Sequence, residues 1–307
     1  MTFDRQTLVI PDGTKFEELT IITKGDVIIG DRCLLQFGIK TDGRIFVGEH
    51  VIIDGDLEAT KDIRVDIFSR IGGSIYGGKN VYLGEKVKIE GKLSLKGDLD
   101  VADSVDVEEG FEAKGWINIR SPIPVVIYIF IYLTQLLKMG HSEEIERLLE
   151  EMEESDGGTI PISEIFLFIP NNSIVGVQKS RVDCNLSVGR KSCLIGNYDV
   201  KGNILIGDDT VIHGSLKSNE EVFCGKNISI KGNIKTNGDV RIEEKSHVVG
   251  DVSGRKIYLS KIASVDGMLF AKNGISFIMP IEHETEEKIR RFESNIDVID
   301  EVDKMLE

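Results

Sequence analysis

The chain repeats itself every eighteen residues, and no other feature limits its fold as tightly. From Asp26 the successive blocks read DVIIGDRCLLQFGIKTDG, RIFVGEHVIIDGDLEATK, DIRVDIFSRIGGSIYGGK, NVYLGEKVKIEGKLSLKG and DLDVADSVDVEEGFEAKG, with no insertion. A second series starts at Asn185 with NLSVGRKSCLIGNYDVKG, NILIGDDTVIHGSLKSNE, EVFCGKNISIKGNIKTNG and DVRIEEKSHVVGDVSGRK, and closes on IYLSKIASVDGMLFAKN, one residue short. Self-similarity at a short fixed period marks a solenoid. Apolar residues hold the second, fourth, eighth, tenth and fourteenth places of each block, as Ile45, Val47, Val51, Ile53 and Leu57 do in the second, where Ala59 takes the sixteenth. Each such place has an equivalent six residues on, so a block divides into three short strands that alternate apolar-inward with polar-outward. The expected fold is mainly β, a three-sided β-helix with 18-residue turns. Stacking would set Val27, Ile45, Ile63, Val81, Leu99 and Ile117 in one column and Ile29, Val47, Val65, Leu83, Val101 and Ile119 in another, stepped by about 4.8 Å. The spacing leaves the hand of the helix open.

Glycine follows the same period, at 30, 48 and 84, at 55, 73 and 91, and again through the second series. Tight corners between short strands favour residues that tolerate positive φ, which accounts for these glycines. Asp66 and Ala102 stand at equivalent points, so the corner favours glycine without requiring it. No GxxxxGK[ST] or GxGxxG lies between a strand and a helix, so the glycines do not read as phosphate loops.

Between the two series the pattern changes. Period eighteen stops at Arg120, and Pro122 and Pro124 follow. From 123 to 133 nearly every residue is apolar, including Val125, Val126, Ile127, Ile129, Phe130, Ile131 and Leu133. Gly140 then breaks the run, Ser142 reads as an N-cap, and Ile145, Leu148, Leu149 and Met152 share one face, predicting a helical hairpin. The apolar stretch is shorter than the twenty or so residues needed to span a bilayer. It is expected to cap a lobe's open end or side, with a membrane foot as the alternative, although its flanks carry only Arg120 and Lys138 as basic residues. IFLFIP, at 165–170, reads as a return to the sheet. After Pro280, Ile289, Phe292, Ile296, Ile299, Val302 and Leu306 recur at three- and four-residue spacing, an amphipathic helix. The expected organisation is an N-terminal β-helix lobe over 1–120, a helical insertion over 121–170, a C-terminal β-helix lobe over 171–279 and a terminal helix over 280–307.

A net charge of −15 opposes binding to nucleic-acid backbones and to anionic membranes. The amino terminus, MTFDRQTLVIPDG, lacks the apolar core of a secretory signal. Cys33, Cys184, Cys193 and Cys224 show no CxxC spacing, and Cys33 and Cys224 fall at inward places, as expected of core thiols in a cytoplasmic protein.

The recurring V-x-I-G-x-x-x-x-V-x-G-x-L, with Val81, Leu83, Gly84, Ile89, Gly91 and Leu93, together with the opening TLVIPDGTKFEELTIITKGDVIIG, resembles the bactofilins, the polymer-forming cytoskeletal proteins. The resemblance covers about residues 7–119 and 182–275. It implies a right-handed β-helix that assembles end to end without nucleotide or other cofactor into scaffolding filaments, often at a membrane, with further copies of itself as partner. The chain departs from the family in its two repeat series, its insertion and its C-terminal helix, each of which is a candidate cap on stacking. On this reading the assembling groups are the apolar residues of the terminal rungs: Leu8, Ile10 and Phe16 at the front, and Ile275, Phe277 and Ile278 at the back.

A second class of protein shares the period. In hexapeptide-repeat acyltransferases, which are closed trimers, a histidine on a protruding loop acts as general base. Ile206, Gly207, Thr210 and Ile212 satisfy that repeat, but His50, His213 and His247 lie within rungs, and His141 and His283 lie in the helical segments. No metal-ligand spacing, nucleophile and base pair or isolated carboxylate pair stands out, so a non-enzymatic scaffold is the expectation.

Overall fold

The computed structural model describes residues 6–119 and 163–278. These form one three-sided solenoid made of three sheets, of 14, 12 and 12 strands, here called faces A, B and C. The predicted columns hold. On face A, β4 (Asp26–Ile29), β7 (Ile45–Val47), β10 (Ile63–Val65), β13 (Val81–Leu83), β16 (Leu99–Val101) and β19 (Ile117–Ile119) pair in parallel, each residue with the one eighteen further on. Val27, Ile45, Ile63 and Val81 are fully buried. The predicted insertion and terminal helices lie outside the described residues, except that 166–169, assigned to the insertion, form strand β20 (Phe166–Ile169).

The two series are coaxial, and they run in opposite directions from the middle. Along face A, β4 leads outward to β19 on one side, while β23 (Asn185–Val188), β26 (Ile204–Ile206), β29 (Val222–Cys224), β32 (Val240–Ile242) and β35 (Ile257–Ser260) lead to β38 (Ile275–Ile278) on the other. The first half visits the faces in the order A, C, B, and the second in the order A, B, C. Reversing both rotation and axial direction preserves the hand, so both halves coil alike, as a solenoid of the left-handed type and not the right-handed one that the family resemblance implies. The halves are also copies. Each holds nineteen strands, and those of the second start 159 residues after their counterparts, or 158 for the last four, beyond the one-residue deletion.

The corner glycines owe their place to stacking more than to φ. Positive φ falls mainly on other residues, such as Arg32, His50, Phe68, Lys86 and Ser104, one per turn. Corner glycines such as Gly73 have ordinary φ, but a Cβ on Gly73 would lie 2.6 Å from the backbone nitrogen of Asp56 in the turn before. Corner amides are satisfied by the side chain one turn earlier: Glu49 N–H donates to Asp31 Oδ1 at 3.0 Å, Asp98 N–H to Asn80 Oδ1 at 2.9 Å, and Asp251 N–H to Asn233 Oδ1 at 2.8 Å. Such bonds pair the corner amides, which have no strand neighbour to donate to.

Gly73→Ala is expected to destabilise by about 1–3 kcal/mol through overpacking against backbone. Lys191→Gly, at a positive-φ corner, should stay within about 1 kcal/mol of the native chain because relief of strain offsets added chain entropy. Urea unfolding followed by circular dichroism checks both.

Candidate functional site

A three-sided solenoid has three places where assembly can occur: its two ends and any internal joint. The internal joint is built by exchange. β1 (Thr7–Ile10) pairs in parallel with β23 of the second half, while its counterpart β20 pairs in parallel with β4 of the first. β1 and β20 meet antiparallel, Val9 opposite Phe168. On face B, β2 (Lys15–Glu17) joins β24 (Cys193–Ile195) of the second half and then turns antiparallel onto β3 (Thr20–Thr23), which opens the first half. On face C the counterpart strands β21 (Ile174–Val175) and β22 (Lys179–Val182) do the same in the other sense. Each half therefore receives its opening turn from the other.

The hydrogen bonds across this joint are duplicated in the same way. Asp12 Oδ1 accepts from Arg190 N–H at 2.7 Å, and its counterpart Asn171 Oδ1 accepts from Asp31 N–H at 3.0 Å. Gly13 N–H donates to the Arg190 carbonyl at 2.8 Å, as Asn172 N–H does to that of Asp31 at 2.9 Å. Leu8, Ile10 and Phe16 are therefore not a front end. They are buried at the centre, Phe16 edge-on to Phe37 with centroids 5.1 Å apart. The first strand of the chain is not the first turn of the solenoid, because the second half begins on it.

One buried carboxylate ties the segment entering β20 to the first half. The Asp26 carboxylate is fully buried and accepts from Arg44 Nε at 3.2 Å, Arg44 N–H at 3.0 Å and Ser163 N–H at 3.0 Å, with Arg44 Nη2 2.5 Å away. Burial pushes this carboxyl up, but the bonds from Arg44 and Ser163 outweigh burial and hold it at about 2. The counterpart of Asp26 is Asn185, which accepts from Asn203 N–H at 2.9 Å. A neutral amide thus fills the equivalent place in the second half.

Among the described residues the solenoid ends at the outgoing edges of the two halves. At one end the inward columns finish in Phe111, Ile117 and Ile119, the last 72% exposed, around a hollow of about 440 Å³ also lined by Leu99 and Val107. Trp116, at the adjoining corner, is 85% exposed. At the other end the columns finish in Leu269, Ile275 and Phe277, the last 63% exposed. Ile275, Phe277 and Ile278 thus lie on an outermost strand, where the sequence reading put them. Phe111, Trp116, Ile117 and Ile119 were missed as end residues, although they stand in the last turn before Arg120, where the period stops.

Other chemistry is sparse. His50 stacks on Phe68 at 5.0 Å, and Lys86 covers the same ring. His247 Nε2 lies 2.8 Å from Asp266 Oδ2 at the surface. Burial pushes the Cys33 thiol up to about 11 and that of Cys224 to about 12. Among the described residues no three His, Cys, Asp or Glu side chains gather as a metal-binding group, and no helix is long and apolar enough to cross a membrane. No family model, curated protein or solved structure matches the chain.

The Asp26 contribution has a definite sign. Its folded-state pKa lies below the ordinary value near 3.8, so its stabilisation is present above that value and is lost as pH falls toward 2. Asp26→Asn is expected to lose about 2 kcal/mol at neutral pH and to flatten the stability profile between roughly pH 4 and pH 2. Urea midpoints measured across that range check it.

Proposed function

We propose that this protein is a non-enzymatic, bactofilin-like scaffold that joins further copies of itself through the two outgoing ends of its solenoid, without nucleotide. The observation that carries this reading is the bare core at both ends: Phe111, Ile117 and Ile119 on one side, Ile275 and Phe277 on the other, each on a strand with no further neighbour among the described residues. Open strand edges beside an uncovered apolar core are templates for pairing with another chain. The chain already contains one end-to-end joint, made by antiparallel strands on all three faces. An outgoing edge of one copy set against an outgoing edge of another would again bring antiparallel strands together, since the two halves run in opposite directions. The hollow bordered by Phe111 and Ile119 would receive apolar side chains of the incoming copy. The reading places the scaffold in the cytoplasm, with Cys33 and Cys224 as core thiols. The acyltransferase alternative draws no support from the geometry, because the described histidines stand singly on the outer surface.

Negative-stain microscopy of the purified full chain, without nucleotide and over a range of concentration, tests the proposal. Filaments a few nanometres wide are expected from the native chain. Ile119→Arg combined with Phe277→Arg should leave folded single particles, because burying an unpaired guanidinium at a joint costs several kcal/mol. Uniform single particles from the native chain at every concentration, or filaments unaffected by both substitutions, would sink the reading.

A further inference from the structure

Outward residues differ sharply between the three faces. Faces B and C carry ladders of opposite charge, such as Lys40 with Glu58, Lys92 with Glu112, Arg70 with Glu90 and Lys217 with Asp199, and the apolar run on face C stops at three outward places, Ile174, Leu34 and Ile52. The middle of face A is apolar instead. Phe46, Ile28, Phe168, Val9, Leu205 and Phe223 occupy six of seven successive outward places, with Ser187 the exception. A groove of about 560 Å³ opens over Ile28, Phe46 and Phe168, bordered by Arg64, Asp31 and Asp66. Phe168 points away from the core by strand parity, yet it is only 5% exposed. Sheet faces turned to water do not normally bury a phenylalanine, and contiguous apolar patches on a surface mark contact sites.

The path of the chain identifies the occupant. It leaves face A at Ile119, at the downstream end of β19, and returns at Ser163, whose N–H donates to Asp26, to enter β20 from upstream. β19 and β20 are six strand steps apart on the same face, about 29 Å at the usual spacing. Strands on this side are parallel, so the shortest return crosses the outer surface of face A from one corner to the other, directly over Phe46 and Ile28. The connecting stretch, 120–162, is long enough to make that crossing in any conformation, and its first part, 123–133, is almost wholly apolar. We infer that the groove over Ile28, Phe46 and Phe168 is the seat of the chain's own residues 123–133. This placement is independent of end-to-end assembly, because it uses a side of the solenoid and neither end.

Hydrogen exchange by mass spectrometry on the full-length protein tests it. Amides within 123–133 should be protected in the native chain, and should exchange about ten-fold or more faster in Ile28→Asp, Phe46→Asp, while β10 and β13 keep their native rates. Tyr76→Asp, at an exposed aromatic on face B, should behave as native. If the double variant loosens β10, Phe46→Ser alone gives the same comparison with less disturbance. Equal exchange of 123–133 in the native and face A variants would overturn the inference. So would protection that appears only with vesicles of phosphatidylcholine and phosphatidylglycerol, which would assign the stretch to a membrane, or only at high protein concentration, which would assign it to a second copy.

Discussion

In a three-sided solenoid the core of each turn is covered only by the turns above and below it, and this dependence governs the rest of the molecule. Alternation within a strand directs Ile45, Leu57 and Val65 inward, but their burial is complete only because turns on both sides supply Val27, Ile63, Ile39, Ile75, Val47 and Leu83. A single solenoid therefore always has two defective turns. This chain has two halves, which would have four. The exchange of β1 and β2 for β20 and β21 removes the pair at the starts of the halves and leaves the pair at their finishes.

The joint also shows how two copies of one design diverge while keeping a common geometry. Asp12 and Asn171 perform the same capping in opposite halves, one as a carboxylate and one as an amide. Asp26 and Asn185 share a position, but only Asp26 is committed to a buried ion pair with Arg44. A buried pair adds little if both partners are replaced together, and its loss is costly if one is removed alone. The consequence is that each half receives the incoming strand with one carboxylate, Asp26 accepting from Ser163 in the first and Asp12 reaching Arg190 N–H in the second, at places that are not equivalent.

Much of this architecture is legible in the residues. The columns of Val27 and Ile29 follow directly from period eighteen, and the return of IFLFIP to the sheet follows from its apolar run. The central joint is not legible in the same way. Leu8, Ile10 and Phe16 precede the periodic series, and nothing local distinguishes a strand that starts its own solenoid from one that completes another. The duplication is hidden because counterpart blocks keep the pattern and few residues: DVIIGDRCLLQFGIKTDG and NLSVGRKSCLIGNYDVKG, offset by 159, coincide only at Gly30, Leu35 and Gly43. The glycine positions were legible and their cause was not: the close approach of Asp56 to Gly73 exists only once turns are stacked. At the ends, Ile275 and Phe277 were recognisable as the last of a series, while Ile117 and Ile119 were read as two more members of a column.

The exchanged opening turns carry a consequence for the order in which the molecule can be made. When the first 119 residues have left the ribosome, β4 through β19 can stack, but the inner edge of β4 stays bare and β1 has no parallel partner. The bond that caps the first corner joins residues 140 apart, and the one that caps the second joins residues 178 apart. Closure therefore waits for β20, which covers the start of the first half, and then for β23, which takes up β1. Contacts so distant in sequence close slowly and only after much chain entropy is lost. The nascent protein thus passes through a long interval in which a sticky half-solenoid exists without its lid, and during that interval the neighbour most able to supply the missing strands is another nascent copy of the same chain.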